Sequence, residues 1–236
     1  MTASQREGVR ASNSHSSNRN TWINAYIMKQ GYPTGNGSMG SHPNVGDMES
    51  PYPSQSYHTQ TPTRSIHVDF TGWPQRVLGI TEGSPSGAVI YRLDLTQNRQ
   101  MKFYTTSASN TPLATATSRG STSLDVTING QRIAVDIKTR LRKEGQYRSP
   151  SLHNAPFAWK SRSMKVVDFE LRDGNGTLLA QFNPHPSWSR RKAGCLDLFG
   201  PSVSSGQLME EIMVTGLSLV HSTDTQLEAA AAGASS

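Results

Sequence analysis

Apolar and polar residues alternate along much of the chain from Ala88 onward, with the period of two that half-buried β-strands show. In AVIYRLDL, for example, Tyr91 and Leu93 share one face while Arg92 lies on the other. Turn residues separate such segments at intervals of roughly eight to twelve residues, which is typical of an antiparallel sandwich or barrel. About nine strands are predicted in this way: Ala88–Leu95, Gln100–Thr106, Pro112–Ser118, Ser123–Ile128, Gln131–Thr139, Phe157–Lys160, Lys165–Asp173, Thr177–Phe182 and Gly194–Phe199.

The connections between these segments carry signals of different strength. Asn129-Gly130 follows Ser123–Ile128, and this dipeptide suits the positive φ angles of a two-residue type I′ turn. A β-hairpin is therefore predicted there. The stretch RLRKEGQYRSPSLHN, residues 140–154, shows no comparable signal and is expected to form a loop.

The last apolar segment, Gln207–His221, changes to a helical period. Ser204 and Gln207 have the spacing of a capping box, and Glu210 and Glu211 lie near the positive end of the helix that would follow. Such a helix would be roughly 22 Å long, short of the ~30 Å core of a bilayer. Because it is apolar on most sides, we expect it to be buried inside a closed antiparallel β-barrel. A final strand is the competing interpretation, since β-branched residues near its centre favour extension.

Composition divides the chain into four parts. The mean hydropathy of −0.55 is low for a chain ordered throughout, and Ser, Asn, Gly and Pro dominate the N-terminal region. The predicted organisation is a disordered tail (1–63), a linker or edge segment that packs on the domain (64–87), the barrel with its helix (88–222) and a disordered C-terminal tail (223–236).

The formal charge of +6 is concentrated in the barrel region, where residues 86–223 hold 17 Lys and Arg against 10 Asp and Glu. Basic surfaces attract anionic partners, although the same charge also serves solubility. The single cysteine, Cys195, excludes an intramolecular disulfide framework. The N-terminal sequence lacks the apolar core of a signal peptide, so we expect an intracellular protein, cytoplasmic or peripheral at a membrane, with no transmembrane segment.

Two groups of cations are candidate binding residues. The larger group lies within 28 positions and is our candidate for contacts with anionic lipid: Lys138, Arg140, Arg142, Lys143, Arg148, Lys160, Arg162 and Lys165. A solvated basic loop with no ligand is the alternative interpretation. The secondary basic patch, Arg190, Arg191 and Lys192, lies beside Trp188. Neither group shows the recurrent aromatic residues of an RNA-binding sheet, so nucleic acid is not an expected partner.

Residues for catalysis or cofactor binding do not form a recognisable pattern. None of the seven histidines is paired at metal-ligand spacing, and Cys195 falls in a predicted strand, where a small buried thiol is expected instead of a nucleophile. No phosphate loop or nucleophile elbow occurs. We therefore predict no catalytic, cofactor-binding or metal-binding residues, no cofactor and no enzymatic activity.

Several short motifs, taken in order, resemble those of uncharacterised fungal proteins with a tubby C-terminal-like domain. The motifs are Phe157-Ala158-Trp159-Lys160, a Lys-x-x-Asp strand before a glycine turn, Ala180-Gln181-Phe182, Lys192-Ala193-Gly194-Cys195-Leu196 and the helix Glu210–Leu217. The superfamily also holds the LURP-one-related proteins and the phospholipid scramblases. The resemblance covers roughly residues 88–222 and implies a closed antiparallel barrel around a hydrophobic C-terminal helix. In tubby itself a basic groove binds phosphoinositide head groups, but no residue of that groove can be transferred to a position here.

Two functions from different classes follow as hypotheses. The first is a peripheral binder of anionic lipid, phosphoinositide in particular, that uses the basic loop. The second is a structural or protein-interaction scaffold that recruits partners through the N-terminal tail. Lipid scrambling by membrane insertion of Gln207–His221 is disfavoured, because the segment is short and contains Glu210 and Glu211.

Overall fold

The computed structural model describes residues 60–72, 77–97, 100–107, 110–139, 143–163, 167–185, 192–200, 203 and 205–233. They form a closed antiparallel barrel of twelve strands and one C-terminal helix, α1 (Gly206–Gly233). The predicted fold class is therefore confirmed. Most of the predicted disordered tail, residues 1–59, lies outside the described residues. The strands are β1 (Arg64–Gly72), β2 (Val77–Glu82), β3 (Val89–Gln97), β4 (Gln100–Thr105), β5 (Ala114–Arg119), β6 (Ser123–Ile128), β7 (Gln131–Thr139), β8 (Lys143–Ser149), β9 (Ala155–Ser161), β10 (Phe169–Asp173), β11 (Leu178–Pro184) and β12 (Lys192–Leu198).

The ring closes where the first strand meets the last. Each strand pairs with its neighbours in sequence, and β1 pairs with β12 from Arg64↔Leu198 to Asp69↔Lys192. Residues 64–72 and 77–82 are therefore part of the barrel instead of a linker or an edge segment. Their inward residues are apolar, and both Ile66 and Ile80 are fully buried. Closure leaves no exposed edge strand among the twelve.

Strand β8 lies in the stretch that was expected to be a loop, and this expectation is wrong. The strand pairs with β7 through residues 143–146 and with β9 through residues 144–149. Its inward positions are Gly145, Tyr147 and Ser149, which are less apolar than the aliphatic residues that mark the other strands. A Cβ at Gly145 would lie 3.2 Å from Leu219 Cδ2 on α1, so a small residue is needed where the strand approaches the helix. With β1 and β2, this strand raises the number from the nine predicted to twelve.

The predicted hairpin at Asn129-Gly130 is confirmed. It joins β6 to β7 with Ile128 opposite Gln131. Asn129 has φ 49° and Gly130 has φ 81°, the positive values that a type I′ turn requires. Every second residue of β6 is buried, and in β7 the alternation of buried and exposed residues runs from Ile133 to Ile137.

Helix α1 fills the barrel, as expected, but its limits differ from the prediction. Ser205 is its cap, because the Ser205 hydroxyl accepts a hydrogen bond from Leu208 N (3.3 Å); Ser204 lies outside the described residues. The helix does not end near His221 but continues to Gly233. Its last turns are rich in alanine, the strongest helix former, which explains why the helix continues beyond the end of the apolar segment. From Leu208 to Leu219 every residue except Glu210 is buried.

One glycine allows the helix to lie close to the barrel wall. The indole of Trp159 on β9 is fully buried and packs against Gly216 of α1. The Trp159 Nε1–H group donates to Thr215 Oγ1 (3.2 Å), and the Thr215 hydroxyl donates in turn to Glu211 O (2.9 Å). The helix is therefore held by both packing and a buried hydrogen bond.

Candidate functional site

Five of the eight candidate anionic-lipid contacts lie within the described residues, on three neighbouring strands. They are Lys138 on β7, Lys143 and Arg148 on β8, Lys160 on β9 and Arg162 directly after β9. The other three, Arg140, Arg142 and Lys165, lie outside the described residues.

The antiparallel order brings four of these five cations to one end of the barrel. Strand β7 ends at Thr139, β8 begins at Lys143 and β9 ends at Ser161, so these termini are neighbours. We call this end the cationic end and define it by Lys138, Lys143, Lys160 and Arg162. Arg148 lies five residues further along β8, roughly 17 Å away at 3.4 Å per residue, near the opposite end. It therefore does not belong to the same surface, and its Nη1 group donates to Asn154 O (3.1 Å).

Carboxylates interrupt the positive charge of the cationic end. On the outer face, Lys138 lies opposite Glu144, Glu144 lies opposite Lys160, and Lys160 lies opposite Glu170. Neighbouring strands are about 4.8 Å apart, so each lysine has a carboxylate on the next strand. The result is a row of alternating charge across four strands, which we call the charge row.

Arg162 is held in place by Asn183 on β11 and by Asp168, which directly precedes β10. Its Nη2 group donates to Asn183 Oδ1 (2.8 Å), and its Nε lies 3.8 Å from Asp168 Oδ2. Asp168 also accepts from Ser163 N (2.9 Å). The guanidinium is partly exposed, so it is oriented without being enclosed.

Lys143 differs from the other cations because it is half-buried against α1. Its Nζ donates to Gln226 Oε1, and Gln226 also donates to Gly120 O (3.4 Å). Burial lowers the pKa of Lys143 to about 8, because the charged ammonium loses solvation. This contact also shows that α1 emerges from the barrel at the cationic end.

The secondary basic patch is only partly described. Arg190 and Arg191 lie outside the described residues, as does Trp188. Lys192 begins β12, opposite Asp69 near the end of β1. The antiparallel order therefore places the start of β12 at the cationic end as well.

The described residues contain no group of three His, Cys, Asp or Glu side chains that could hold a metal ion. Cys195 is partly buried on the outer face and not fully buried as expected, because it alternates with the inward Leu196. Its thiol donates to Asp197 Oδ1 (3.5 Å). Burial, with Asp197 as the second cause, raises the pKa of Cys195 to about 12, which keeps the thiol protonated and weakly nucleophilic.

A buried polar pair inside the barrel was not predicted. Tyr147 on β8 and Glu211 on α1 are 5% and 2% exposed. Tyr147 was missed because its strand was expected to be a loop. Glu211 was interpreted as a charge that favours the helix N-terminus, although it lies beyond the first turn of α1. The spacing could have indicated that Glu211 is buried. It lies one helical turn before Thr215, on the stripe of α1 that faces Trp159.

No protein-family model, curated protein or solved structure matches this chain. The class of protein is thus defined by its architecture, a twelve-stranded antiparallel barrel filled by a C-terminal helix. Within the described part of the chain, none of the helices combines the length and the apolar character needed to cross a membrane.

Proposed function

We propose that the barrel is a non-enzymatic binding domain that docks on anionic lipid, phosphoinositide in particular, through its cationic end. The observation that carries this proposal is the position of Lys138, Lys143, Lys160 and Arg162 at one end of the barrel. Cations near an anionic membrane surface contribute about 1 kcal/mol each. The protein would then act inside the cell, at the surface of a membrane.

The sequence around the cationic end supports the same proposal. Arg140 and Arg142 stand between Thr139 and Lys143, and Lys165 stands between β9 and β10. The charge row opposes it in part, since Glu144 and Glu170 would repel the same lipids. We therefore expect weak binding that falls steeply as salt is added.

Co-sedimentation with vesicles tests this function. Vesicles of phosphatidylcholine alone are compared with vesicles that also contain a phosphoinositide, for the full chain and for two double variants. Lys138→Gln with Lys160→Gln removes two charges from the cationic end. Arg132→Gln with Arg148→Gln is the matched control. Both arginines are exposed, and both lie towards the barrel end that is opposite the cationic end, near the start of β7 and the end of β8.

We expect the first double variant to lose several-fold in binding to the phosphoinositide vesicles and the control to keep most of it. Equal binding of the unchanged protein to neutral and anionic vesicles would reject the proposal. So would an equal loss in both double variants, because the binding would then follow total charge and not the cationic end.

A protein-interaction scaffold is the second candidate, and the charge row favours it. A surface of alternating sign is complementary to another alternating surface, and such patterns give specificity in protein association. Glu144→Lys separates the two functions. This change should strengthen binding to anionic vesicles but weaken capture of a protein partner.

Deletion of residues 1–63 tests whether the N-terminal tail recruits protein partners. An unchanged set of co-purified proteins would argue against that role.

Membership of the tubby C-terminal-like superfamily is a proposal that rests on the motif order in the sequence and on the barrel that surrounds a helix. Lipid scrambling is not proposed. Residues 208–219 of the segment that would have to insert are enclosed by the barrel, where Leu208, Ile212 and Leu219 are core residues.

A further inference from the structure

Four serine or threonine residues in the described part of the chain are followed directly by proline. They are Thr61, Ser84, Thr111 and Ser149. All four lie at the barrel end opposite the cationic end, because they precede β1, follow β2, precede β5 and end β8. A protein kinase that selects proline after its target residue would therefore meet all four motifs at one end. The four differ in how far the fold leaves the hydroxyl open to such an enzyme.

Thr61 is exposed and lies outside the strand ladder of the barrel. Residues 60–62 have no regular secondary structure. The earliest backbone hydrogen bond described along the chain is made by Thr63 N, which donates to Leu198 O (2.7 Å). The Thr61 hydroxyl makes no hydrogen bond with the described part of the chain. Pro62 disfavours helical backbone at Thr61 and so favours the extended form in which a kinase cleft binds its substrate.

Two of the other motifs are closed by the fold. Ser149 is fully buried, and its hydroxyl accepts a hydrogen bond from Leu152 N (3.2 Å). Ser84 is exposed but belongs to a compact turn, in which its Oγ accepts from Ser86 N (3.3 Å) and its carbonyl accepts from Gly87 N (3.0 Å). Such a turn would have to unfold before an extended cleft could bind it.

Arg64 gives the Thr61 motif a second recognition element, three residues after the threonine. The Arg64 side chain is 24% exposed, and its Nε donates to Glu82 Oε1 (2.6 Å). An ion pair at the surface contributes little to stability, so Arg64 can exchange this carboxylate for one on a partner. The residue three positions after Thr111 is Ala114, which is buried in the barrel wall. Only the first of these two motifs therefore combines an open hydroxyl, a proline and a basic side chain that an acidic pocket can bind.

We propose that Thr61 is a phosphorylation site for a proline-directed protein kinase that also binds the basic residue three positions further on. Thr61 Oγ1 attacks the γ-phosphorus of ATP, and the bond from that phosphorus to the β–γ bridging oxygen breaks. ADP leaves, and the hydroxyl proton passes to the catalytic carboxylate of the kinase. The product carries a charge of about −1.5 to −2 directly before β1, at the end opposite the cationic end. This modification is independent of lipid binding.

Incubation of the full chain with Mg²⁺–ATP and a proline-directed kinase of the cyclin-dependent class, followed by site-resolved mass spectrometry, tests the proposal. We expect Thr61 to be phosphorylated several-fold faster than Ser84 and Thr111, and Ser149 to stay unmodified because it is buried. The proposal is overturned if Thr61 is modified no faster than any of the other three residues.

Variants of the Arg64–Glu82 pair separate recognition by the kinase from stability of the barrel. Arg64→Gln should slow phosphorylation of Thr61 several-fold, and Arg64→Lys should restore much of the rate. Glu82→Gln is the matched control, because it breaks the same ion pair but keeps the arginine, and it should not slow the reaction. An unchanged rate in Arg64→Gln, or an equal loss in Glu82→Gln, would contradict recognition through Arg64. Should Arg64→Gln fail to fold, the comparison of sites in the unchanged protein decides.

Discussion

The indole of Trp159 occupies the space that a side chain at Gly216 would need. A Cβ at position 216 would lie 2.7 Å from Trp159 Cζ2 and 2.9 Å from Cη2, distances that real Cβ atoms do not show. Gly216 lies in the middle of a helix, where glycine is otherwise unfavourable by about 1 kcal/mol. The close approach of helix and strand explains why glycine is nevertheless present.

Gly216→Ala should destabilise the protein, because the fully buried indole cannot move away from the added methyl group. We expect the free energy of unfolding to fall by about 1–3 kcal/mol, the usual effect of overpacking, measured by urea denaturation. Gly206→Ala is the control in the same helix, since nothing lies within 4 Å of a Cβ there. Equal stability of the two variants would show that Trp159 and Gly216 are not in contact.

Thr215→Val should leave the Trp159 N–H group buried without an acceptor. An unsatisfied buried donor costs about 1–3 kcal/mol, and we expect a loss of this size in thermal or urea unfolding. Thr225→Val is a matched control, because the Thr225 hydroxyl donates to the carbonyl four residues earlier, as that of Thr215 does, but is exposed. If both variants lost the same stability, the hydrogen bond to Trp159 would contribute nothing.

Lys143 should make stability depend on pH in the alkaline range. Burial lowers its pKa from 10.5 to about 8, so between these values the unfolded chain binds a proton that the folded protein does not. Stability from this group therefore rises as pH increases from about 8 to 10.5, and the cost of burying the charge is fully present below pH 8.

Lys143→Met removes this dependence. The variant should be more stable than the unchanged protein at pH 7, and the difference should shrink as pH rises above 8. Urea unfolding at several pH values measures this difference in the free energy of unfolding, with Lys138→Met as the control for loss of an exposed lysine. A stability difference that stays constant across this pH range would contradict the lowered pKa of Lys143.

Cys195 should react slowly with alkylating reagents although it is partly exposed. Its pKa of about 12 leaves little thiolate at neutral pH, and burial is the larger cause. Asp197→Asn removes the second cause and should increase the alkylation rate several-fold at pH 8. Because the chain has a single cysteine, mass spectrometry follows the reaction directly. Rapid reaction of the unchanged protein would show that the pKa of Cys195 is not raised in this way.

Strand alternation was the part of the fold that the sequence predicted best. Where aliphatic residues face inward, as in β7, the burial pattern matches the expected one. The prediction failed at β8, because Gly145 and Ser149 face inward there and carry no hydrophobic signal. It also failed at the end of α1, where helix propensity and the contacts of Gln226 replace apolar burial.

The candidate site was harder to predict than the fold, for a physical reason. Cations close in sequence can be far apart on strands, and Arg148 is separated from Lys143 in this way. The acids that divide the cationic end come from β8 and β10, so cross-strand register was needed to find them. The motif glycines Gly194 and Gly216 both lie where a Cβ would meet core aromatic rings. Such motifs report on packing, which is why they indicate a fold more readily than an activity.

The pairing of β1 with β12 has a consequence for how the protein is made. The hydroxyl of Ser65 donates to Asp197, a partner 132 positions later in the chain. All twelve strands must therefore be synthesised before the ring closes, and the helix that fills the barrel is synthesised after them. Until the helix is made, the inner faces of all twelve strands remain without their core. Chains truncated before Gly206 should accordingly aggregate or depend on chaperones during synthesis, instead of yielding a smaller working barrel.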